Sequence, residues 1–287
     1  MLLRALLFCL LLCSAPLHAR QLVLVQGYLG DISSWRDSGI TRLLNGEGWL
    51  FAGEYHSGSH GVGLFRRGGP LAPQQIDGVD SYFLVSLPTE APIVHQAYLL
   101  NAYLEDLRQR YPGQSLVLAG HSAGGIVARY VMVRNPGLAV DQLVTIASPN
   151  LGTDLAKYGK LAGDSPLALV APFVGAKTLN RSQGLYSDLL PEAPRRFLHW
   201  LNRQPHPQAQ YISIVREWQS PGSGDLVVDE RSQYLENVAA LRGRATSFVV
   251  SGSHALGMRD GRLLLDLVTT RNVPLVAPAQ RQAGPAR

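Results

Sequence analysis

The sequence has very little cysteine. Its 287 residues include two cysteines, Cys9 and Cys13, and both lie within the first twenty residues. The rest of the chain has no cysteine for a disulfide, so we expect its stability to come from core packing. It also has no Cys/His cluster with the spacing of a zinc site, and we expect neither a metal nor a cofactor.

Lysine, and charge in general, are also scarce. Charged residues make up 16 % of the chain, the net charge is +5, and the only lysines are Lys157, Lys160 and Lys177. Nucleic-acid binding needs a basic stripe or patch, whereas the arginines here are scattered, so we expect no nucleic-acid partner. A hydrophobic content of 46 % is enough for a globular domain with a sizeable core.

Residues 1–19 have the three-part pattern of a signal peptide. Arg4 is followed by an apolar stretch from Ala5 to Cys13, and then by small and turn-forming residues that end at Ala19. We expect cleavage after Ala19 and export to the periplasm or the medium. The apolar stretch is too short for an ordinary membrane span, although an uncleaved anchor is the alternative interpretation.

Short apolar runs alternate with helix-like segments through residues 20–271. A continuous apolar run is typical of a strand buried on both faces, and its alternation with helices predicts a mostly parallel sheet covered on both sides. We therefore predict an α/β fold, with a glycine-rich loop at 57–69. The predicted strands are 21–25, 49–53, 82–87, 115–119, 142–147, 211–215 and 247–250, and the predicted helices are 92–110, 124–134 and 258–269.

Two segments depart from this alternation. Residues 152–208 contain several short helical pieces and no clear strand, which is long for a connection and indicates an inserted helical cap. Its apolar piece Leu167–Val174 suits either a lid or acyl-pocket wall, or plain core packing. Residues 272–287 are rich in Pro, Ala, Gln and Arg and predict a flexible C-terminal tail.

The stretch Gly120-His121-Ser122-Ala123-Gly124 has the pattern G-x-S-x-G between a predicted strand and a predicted helix. A tight strand-to-helix turn lifts a serine hydroxyl clear of the backbone, where a base can activate it. We therefore predict that Ser122 is a nucleophile. The amide of Ala123, at the start of the helix, is a candidate for stabilising an oxyanion.

A second oxyanion amide is expected in the loop after an early strand. The stretch Gln26-Gly27-Tyr28-Leu29-Gly30 follows the first predicted strand, and Tyr28 is the candidate that supplies the N–H. Gly27 would let this loop approach the nucleophile. The alternative is that the glycines only form a turn.

A base and an acid are expected after the serine, in the chain order Ser, Asp, His. Asp225 and His254 both follow late predicted strands, at the edge of a parallel sheet where sites form. We predict that His254 takes the proton of Ser122 and that Asp225 orients His254 and stabilises its charged form. Asp229 is an alternative acid, unless it is a surface charge or a helix start.

The other histidines have weaker cases. His121 is next to the serine, but its side chain is expected to point away from the hydroxyl and to make packing or polar contacts. For the remaining histidines we predict no catalytic role; they are His18, His56, His60, His95, His199 and His206.

Taken together, these stretches resemble the α/β-hydrolase superfamily, and specifically bacterial serine lipases and esterases of the triacylglycerol-lipase type. The resemblance is carried by the Asp225 and His254 segments and by three motifs: Val25–Tyr28, Gly120–Tyr130 and Ile146–Thr153. It implies an α/β-hydrolase fold and hydrolysis of carboxylic esters. The strand-to-helix turn that carries Ser122 is also similar to that of eukaryotic inositol deacylases that act on glycolipid anchors.

The chain departs from the family pattern at several places. Gln26 stands where a histidine is usual, and its side chain could hold the loop by a hydrogen bond. Asn150 replaces another common histidine. Many secreted relatives have a disulfide and a calcium site, but this chain has no cysteine for the former and no convincing calcium cluster.

The sequence thus predicts an exported serine hydrolase of carboxylic esters, with lipid or acyl esters as substrates. The expected partners are a small-molecule or lipid ester and, transiently, a lipid interface. Two alternatives stay open: an acyltransferase that uses the same three residues, and a non-catalytic binding module with a hydrolase fold.

Overall fold

The computed structural model describes residues 19–59, 61–156, 181–217 and 224–270. The predicted signal peptide, except for Ala19, lies outside the described residues, as does the predicted tail at 272–287. His18, His60 and the apolar segment Leu167–Val174 also lie outside them.

The described residues form an eight-stranded sheet in the order β3-β2-β4-β1-β5-β6-β7-β8. Every neighbouring pair is parallel except β2 and β3, and this confirms the predicted mostly parallel sheet. The strands are β1 (Arg20–Val25), β2 (Leu50–Gly58), β3 (Gly61–Phe65), β4 (Ser81–Val85), β5 (Ser115–His121), β6 (Val140–Ile146), β7 (Gln210–Glu217) and β8 (Ala245–Ser251).

The prediction of a continuous glycine-rich loop at 57–69 was wrong. Residues 61–65 form strand β3, which pairs antiparallel with the end of β2 at the edge of the sheet. The segment alternates glycine with Val62 and Leu64, and Leu64 is buried in the core. Alternation of this kind is the signal of a half-buried strand, but the glycines weaken it.

Helices cover both faces of the sheet. Pro92 precedes the longest described helix, whose buried residues 93, 97, 100, 104 and 107 recur at helical spacing. No helix in the described ranges is both long enough and apolar enough to cross a membrane. The α-helices are α1 (Ile32–Asp37), α2 (Ile40–Gly46), α3 (Pro73–Ile76), α4 (Ile93–Arg110), α5 (Ala123–Arg134), α6 (Gln183–Asp188), α7 (Phe197–Leu201), α8 (Glu230–Gln233) and α9 (Met258–Thr269).

The buried apolar residues form one cluster on each face of the sheet. Strand β1 shows the cause, because Val23 and Val25 point to the cluster beneath α4 and α5, whereas Leu22 and Leu24 point to the opposite cluster. The second cluster contains Trp35 and packs beneath α1, α2 and α9. A strand buried on both faces explains why its sequence reads as a continuous apolar run.

The described parts of 152–208 contain helices α6 and α7 and no strand. Helix α6 packs near the start of α4, where the Asp188 carboxylate accepts a hydrogen bond of 2.8 Å from the Ile93 amide. The same helix carries Tyr186, whose hydroxyl lies 2.5 Å from that of Tyr28. Helix α6 is therefore tied to the loop that was predicted to form part of the oxyanion site.

Candidate active site

Ser122 lies at the turn between β5 and α5, which is where the sequence pattern placed it. Its backbone has φ 52° and ψ −128°, a conformation that non-glycine residues rarely adopt. The Ser122 amide donates a hydrogen bond of 2.8 Å to the Ile146 carbonyl at the end of β6. The turn is thus held in a strained geometry by the neighbouring strand, as is common at functional sites.

Two glycines of the motif are required because the turn packs tightly. A Cβ atom at Gly120 would lie 2.5 Å from the Gly125 Cα atom, and one at Gly124 would lie 2.6 Å from the Val25 carbonyl oxygen. Real Cβ atoms do not approach other atoms so closely. The two positions therefore allow α5 to begin directly against β5 and β1, with Ser122 at the apex.

The structure brings Ser122, His254 and Asp225 into one hydrogen-bonded chain. The His254 Nε2 atom is 2.9 Å from the Ser122 Oγ atom, and its Nδ1 atom is 2.6 Å from the Asp225 Oδ2 atom. With the proton on Nδ1, the imidazole donates to Asp225, and Nε2 is free to accept the serine proton. This arrangement can activate the Ser122 hydroxyl as a nucleophile.

Asp225 is only 2 % exposed and lies in a tight turn after β7. Its Oδ1 atom accepts hydrogen bonds from the amides of Val227 at 3.0 Å and Val228 at 2.8 Å. Burial alone would raise the pKa of Asp225, but the hydrogen bond and charge of His254, together with these two amides, lower it. Asp225 therefore stays ionised beside His254.

Asp229, the alternative acid, has a different place in the structure. It precedes α8, and its Oδ1 atom accepts a hydrogen bond of 2.9 Å from the Arg231 amide. Asp229 is therefore a helix N-cap, in agreement with the predicted alternative of a helix start.

The loop with the proposed oxyanion residue Tyr28 lies directly against the nucleophile. A Cβ atom at Gly27 would lie 2.7 Å from the Ser122 Cβ atom, so only glycine permits this approach. The Ala123 amide is in the first turn of α5, where amides have no acceptor within the helix. Among the described residues, neither polar atom of the buried Gln26 side chain has a hydrogen-bond partner.

The side chains of His121 and Arg216 contact the backbone of the loop that carries His254. The His121 Nε2 atom is 2.8 Å from the His254 carbonyl oxygen, which agrees with the expected polar contact. Burial of the His121 ring, with His254 close by, lowers the pKa of His121 to about 3. Arg216 was not predicted from the sequence, and its guanidinium also binds this loop. Its only signal is that a lone arginine follows the buried run of β7.

The other described histidines lie away from these three residues. His56 and Glu54 lie 3.3 Å apart on β2, and His199, on α7, is 3.6 Å from Glu192. His206 is buried, with its Nδ1 atom 2.8 Å from the Gln204 carbonyl oxygen. His95 is exposed on α4.

Comparisons with known proteins agree with this architecture. Residues 87–161, which include Ser122, match the family described as PGAP1-like alpha/beta domain. No curated protein sequence matches the chain. Among solved structures, the chain is similar to the product of gene lin2722 from Listeria innocua, at 17 % identity and a TM-score of 0.62. The alignment covers 89 % of this chain and 96 % of that one.

Two further solved structures have names that refer to lipases. Lipase BlEst2 from Bacillus licheniformis, in its mature form, has 16 % identity and a TM-score of 0.58, over 88 % of this chain and 91 % of that one. A lipase-esterase related protein from Clostridium acetobutylicum has 11 % identity and a TM-score of 0.51, over 88 % and 96 % respectively. The chain therefore has the α/β-hydrolase fold, and the predicted fold class and resemblance are confirmed.

Proposed function

We propose that the protein is an exported serine hydrolase that cleaves carboxylic esters. The observation that carries this proposal is the hydrogen-bonded chain from Asp225 through His254 to Ser122, with the serine on a strained strand-to-helix turn. Export rests on the signal-peptide pattern of residues 1–19.

In the proposed mechanism, the Ser122 oxygen attacks the ester carbonyl carbon while His254 Nε2 accepts the serine proton. The amides of Tyr28 and Ala123 stabilise the negative charge on the carbonyl oxygen. His254 then gives the proton to the leaving alcohol, and an acyl-enzyme on Ser122 results. A water molecule then attacks the carbonyl carbon of the acyl-enzyme while His254 accepts a proton from it. His254 returns this proton to the Ser122 oxygen as the acid leaves, and Asp225 stabilises the charged imidazole at each stage.

We propose lipid or acyl esters as the substrate class. Two exposed leucines directly follow proposed site residues: Leu29 after Tyr28, at 49 % exposure, and Leu226 after Asp225, at 70 %. Both have positive φ, so the chain holds an apolar side chain at strained positions on both loops. Apolar side chains on the loops that carry the proposed site residues favour an acyl chain over a polar substituent, and the likeness to lipase BlEst2 agrees with this.

The test is hydrolysis of p-nitrophenyl esters from acetyl to palmitoyl by the wild-type protein and by Ser122→Ala. We expect kcat to fall at least about 10³-fold in the variant, because the nucleophile is removed. A serine-directed fluorophosphonate should label the wild type but not the variant. Ser33→Ala, which changes an exposed serine on α1, is the matched control and should keep full activity.

Unchanged hydrolysis in Ser122→Ala would refute the proposal. The chain-length series separates a lipase, which prefers long acyl chains, from a short-chain esterase. Product analysis with an added alcohol distinguishes hydrolysis from acyl transfer, because a transferase would form the new ester in preference to the free acid.

A further inference from the structure

Three consecutive carbonyl groups around His254 each accept a hydrogen bond from a side chain. Arg216 Nη1 donates to the Ser253 carbonyl at 2.8 Å, and Arg216 Nη2 donates to the Ala255 carbonyl at 2.9 Å. His121 Nε2 is 2.8 Å from the carbonyl of His254 itself, between the other two. We call Arg216 and His121 the carbonyl clamp.

The clamp is anchored on one side by a buried ion pair. Arg216 Nη2 also binds the Asp260 carboxylate, and the two side chains are only 5 % and 1 % exposed. Asp260 in turn accepts a hydrogen bond of 2.8 Å from the Gly257 amide at the start of α9. Burial raises the pKa of Asp260, whereas the charge of Arg216 acts against this rise. The guanidinium is thus fixed between its carboxylate and the His254 loop.

The clamp is linked to the Asp225 loop as well. The Arg216 amide donates to Gln233 Oε1 at 2.7 Å, and Gln233 Nε2 donates to the Val228 carbonyl at 3.0 Å. Val228 is one of the two residues whose amides hold the Asp225 carboxylate. One residue at the end of β7 therefore sets the positions of both loops that must meet at the His254–Asp225 hydrogen bond.

The loop itself offers little rigidity, because Gly252 to Gly257 lie between β8 and α9 without regular secondary structure. Gly252 is required by the clamp, since a Cβ atom there would lie 2.6 Å from Arg216 Nη1. Proton transfer from Ser122 needs the imidazole within a fraction of an ångström of its place. The guanidinium reaches two carbonyls at once, and a lysine ammonium cannot reproduce this planar fork.

We propose that Arg216 and His121 are positioning residues that hold the His254 imidazole within hydrogen-bond distance of both Ser122 and Asp225. The inference rests on the proposed function, because it assigns the clamp to the same catalytic histidine. His121 suits this role because it stays neutral, so its Nε2–H can donate to the carbonyl without placing a positive charge beside the base.

A purely structural role would make Arg216 important for stability alone. The chain offers a matched control, because Arg244 also donates to two successive loop carbonyls, those of His206 and Pro207, at 3.2 and 2.8 Å. This loop precedes β7, at the opposite end of the strand from Arg216. Arg216→Lys and Arg244→Lys therefore remove the same kind of contact at two places.

The experiment compares these variants with the wild type in p-nitrophenyl ester hydrolysis, fluorophosphonate labelling and thermal unfolding. We expect Arg216→Lys to lower kcat about 10- to 100-fold with KM changed less than about 2-fold, and to slow labelling in proportion. Arg244→Lys should lower the unfolding temperature but keep kcat within about 2-fold. Equal kcat in the two variants would overturn the proposal.

A second pair of variants tests the other half of the clamp. His121→Gln retains an N–H near the Nε2 position, whereas His121→Phe fills the space without a donor. We expect Gln to keep most of kcat and Phe to lose about 10-fold or more. Equal activities would contradict a positioning role. If Arg216→Lys does not fold, the two His121 variants still test whether the carbonyl clamp positions His254.

A proton NMR readout separates failure of this inference from failure of the proposed function. The His254 Nδ1–H bonded to Asp225 should give a far-downfield resonance in the wild type without any substrate. We expect Arg216→Lys to shift or broaden it and Arg244→Lys to leave it unchanged. If the wild type neither hydrolyses esters nor reacts with the fluorophosphonate, the proposed function fails. An unchanged resonance in Arg216→Lys overturns the clamp.

Discussion

At the scale of the residue, the sequence left two candidates for the acid, Asp225 and Asp229. The structure separates them, because Asp225 contacts His254 whereas Asp229 caps a helix. We expect Asp225→Asn to lower kcat for p-nitrophenyl esters roughly 10³- to 10⁴-fold. The carboxamide could keep the hydrogen bonds from Val227 and Val228, but its NH₂ group would face His254 Nδ1. The imidazole would then carry its proton on Nε2 and could no longer accept one from Ser122.

The control for this prediction is Asp229→Asn. Asparagine is a good N-cap, so this variant should lose at most a few tenths of a kcal/mol in the free energy of unfolding and keep its activity. If Asp229→Asn loses the activity and Asp225→Asn keeps it, the acid has been assigned to the wrong residue.

The limits of the sequence are also visible at this scale. Ser122, Asp225 and His254 could be found because each follows a recognisable strand, in a chain order that parallel sheets bring to one edge. The contacts of Arg216 and His121 with the His254 loop could not, because they join residues far apart in the chain through main-chain carbonyls. Main-chain acceptors leave no mark in the sequence.

At the scale of the element, helices and strands with a strong apolar pattern could be predicted from the sequence, whereas elements with a short or weak pattern could not. Helix α4 has buried residues at helical spacing, and the buried strands are continuous apolar runs, so the sequence predicted both. Helices α1 and α2 are short, and α1 depends on a local cap in which the Asp31 side chain accepts from the Ser33 amide at 2.7 Å. Strand β3 exists because β2 is beside it, which a single segment does not reveal.

Helix α4 gives a prediction at this scale, because α6 supplies a cap for its N-terminus. Pro92 has no side-chain cap to offer, and the Ile93 amide donates to Asp188 instead. We expect Asp188→Ala to lower the free energy of unfolding by about 1–2 kcal/mol, as for the loss of an N-cap with a charge at the positive end of a helix. Urea denaturation measures the change.

Asp188→Asn is the matched variant, because it keeps an acceptor oxygen but removes the charge. It should lose less stability than Asp188→Ala, by about 0.5 kcal/mol or more. If Asp188→Ala unfolds at the same urea concentration as the wild type, α6 does not cap α4, and its contact there is incidental.

At the scale of the whole molecule, buried neutral histidines make stability depend on pH. Burial, with nearby positive charge, lowers the pKa of His206 to about 4, and the pKa of His121 is about 3, against 6.5 for a free histidine. Below about pH 6.5 the unfolded chain therefore binds protons that the folded protein does not. The free energy of unfolding should fall as the pH decreases from about 6.5 towards 4, by up to about 1.4 kcal/mol per pH unit for each histidine.

His206→Gln tests this, and the readout is the slope of stability against pH rather than stability itself. In the variant, the unfolded chain can no longer bind a proton at position 206. Its free energy of unfolding should therefore fall less steeply between about pH 6.5 and 4 than that of the wild type. Asp188 and Asp260, whose pKa values burial raises, act in the opposite sense, but they are present in both proteins and cancel in the difference. His95→Gln, at an exposed position on α4, should keep the wild-type slope. Equal slopes in wild type and His206→Gln would mean that His206 takes up its proton in the folded protein as readily as in the unfolded chain, and that its burial does not promote acid unfolding.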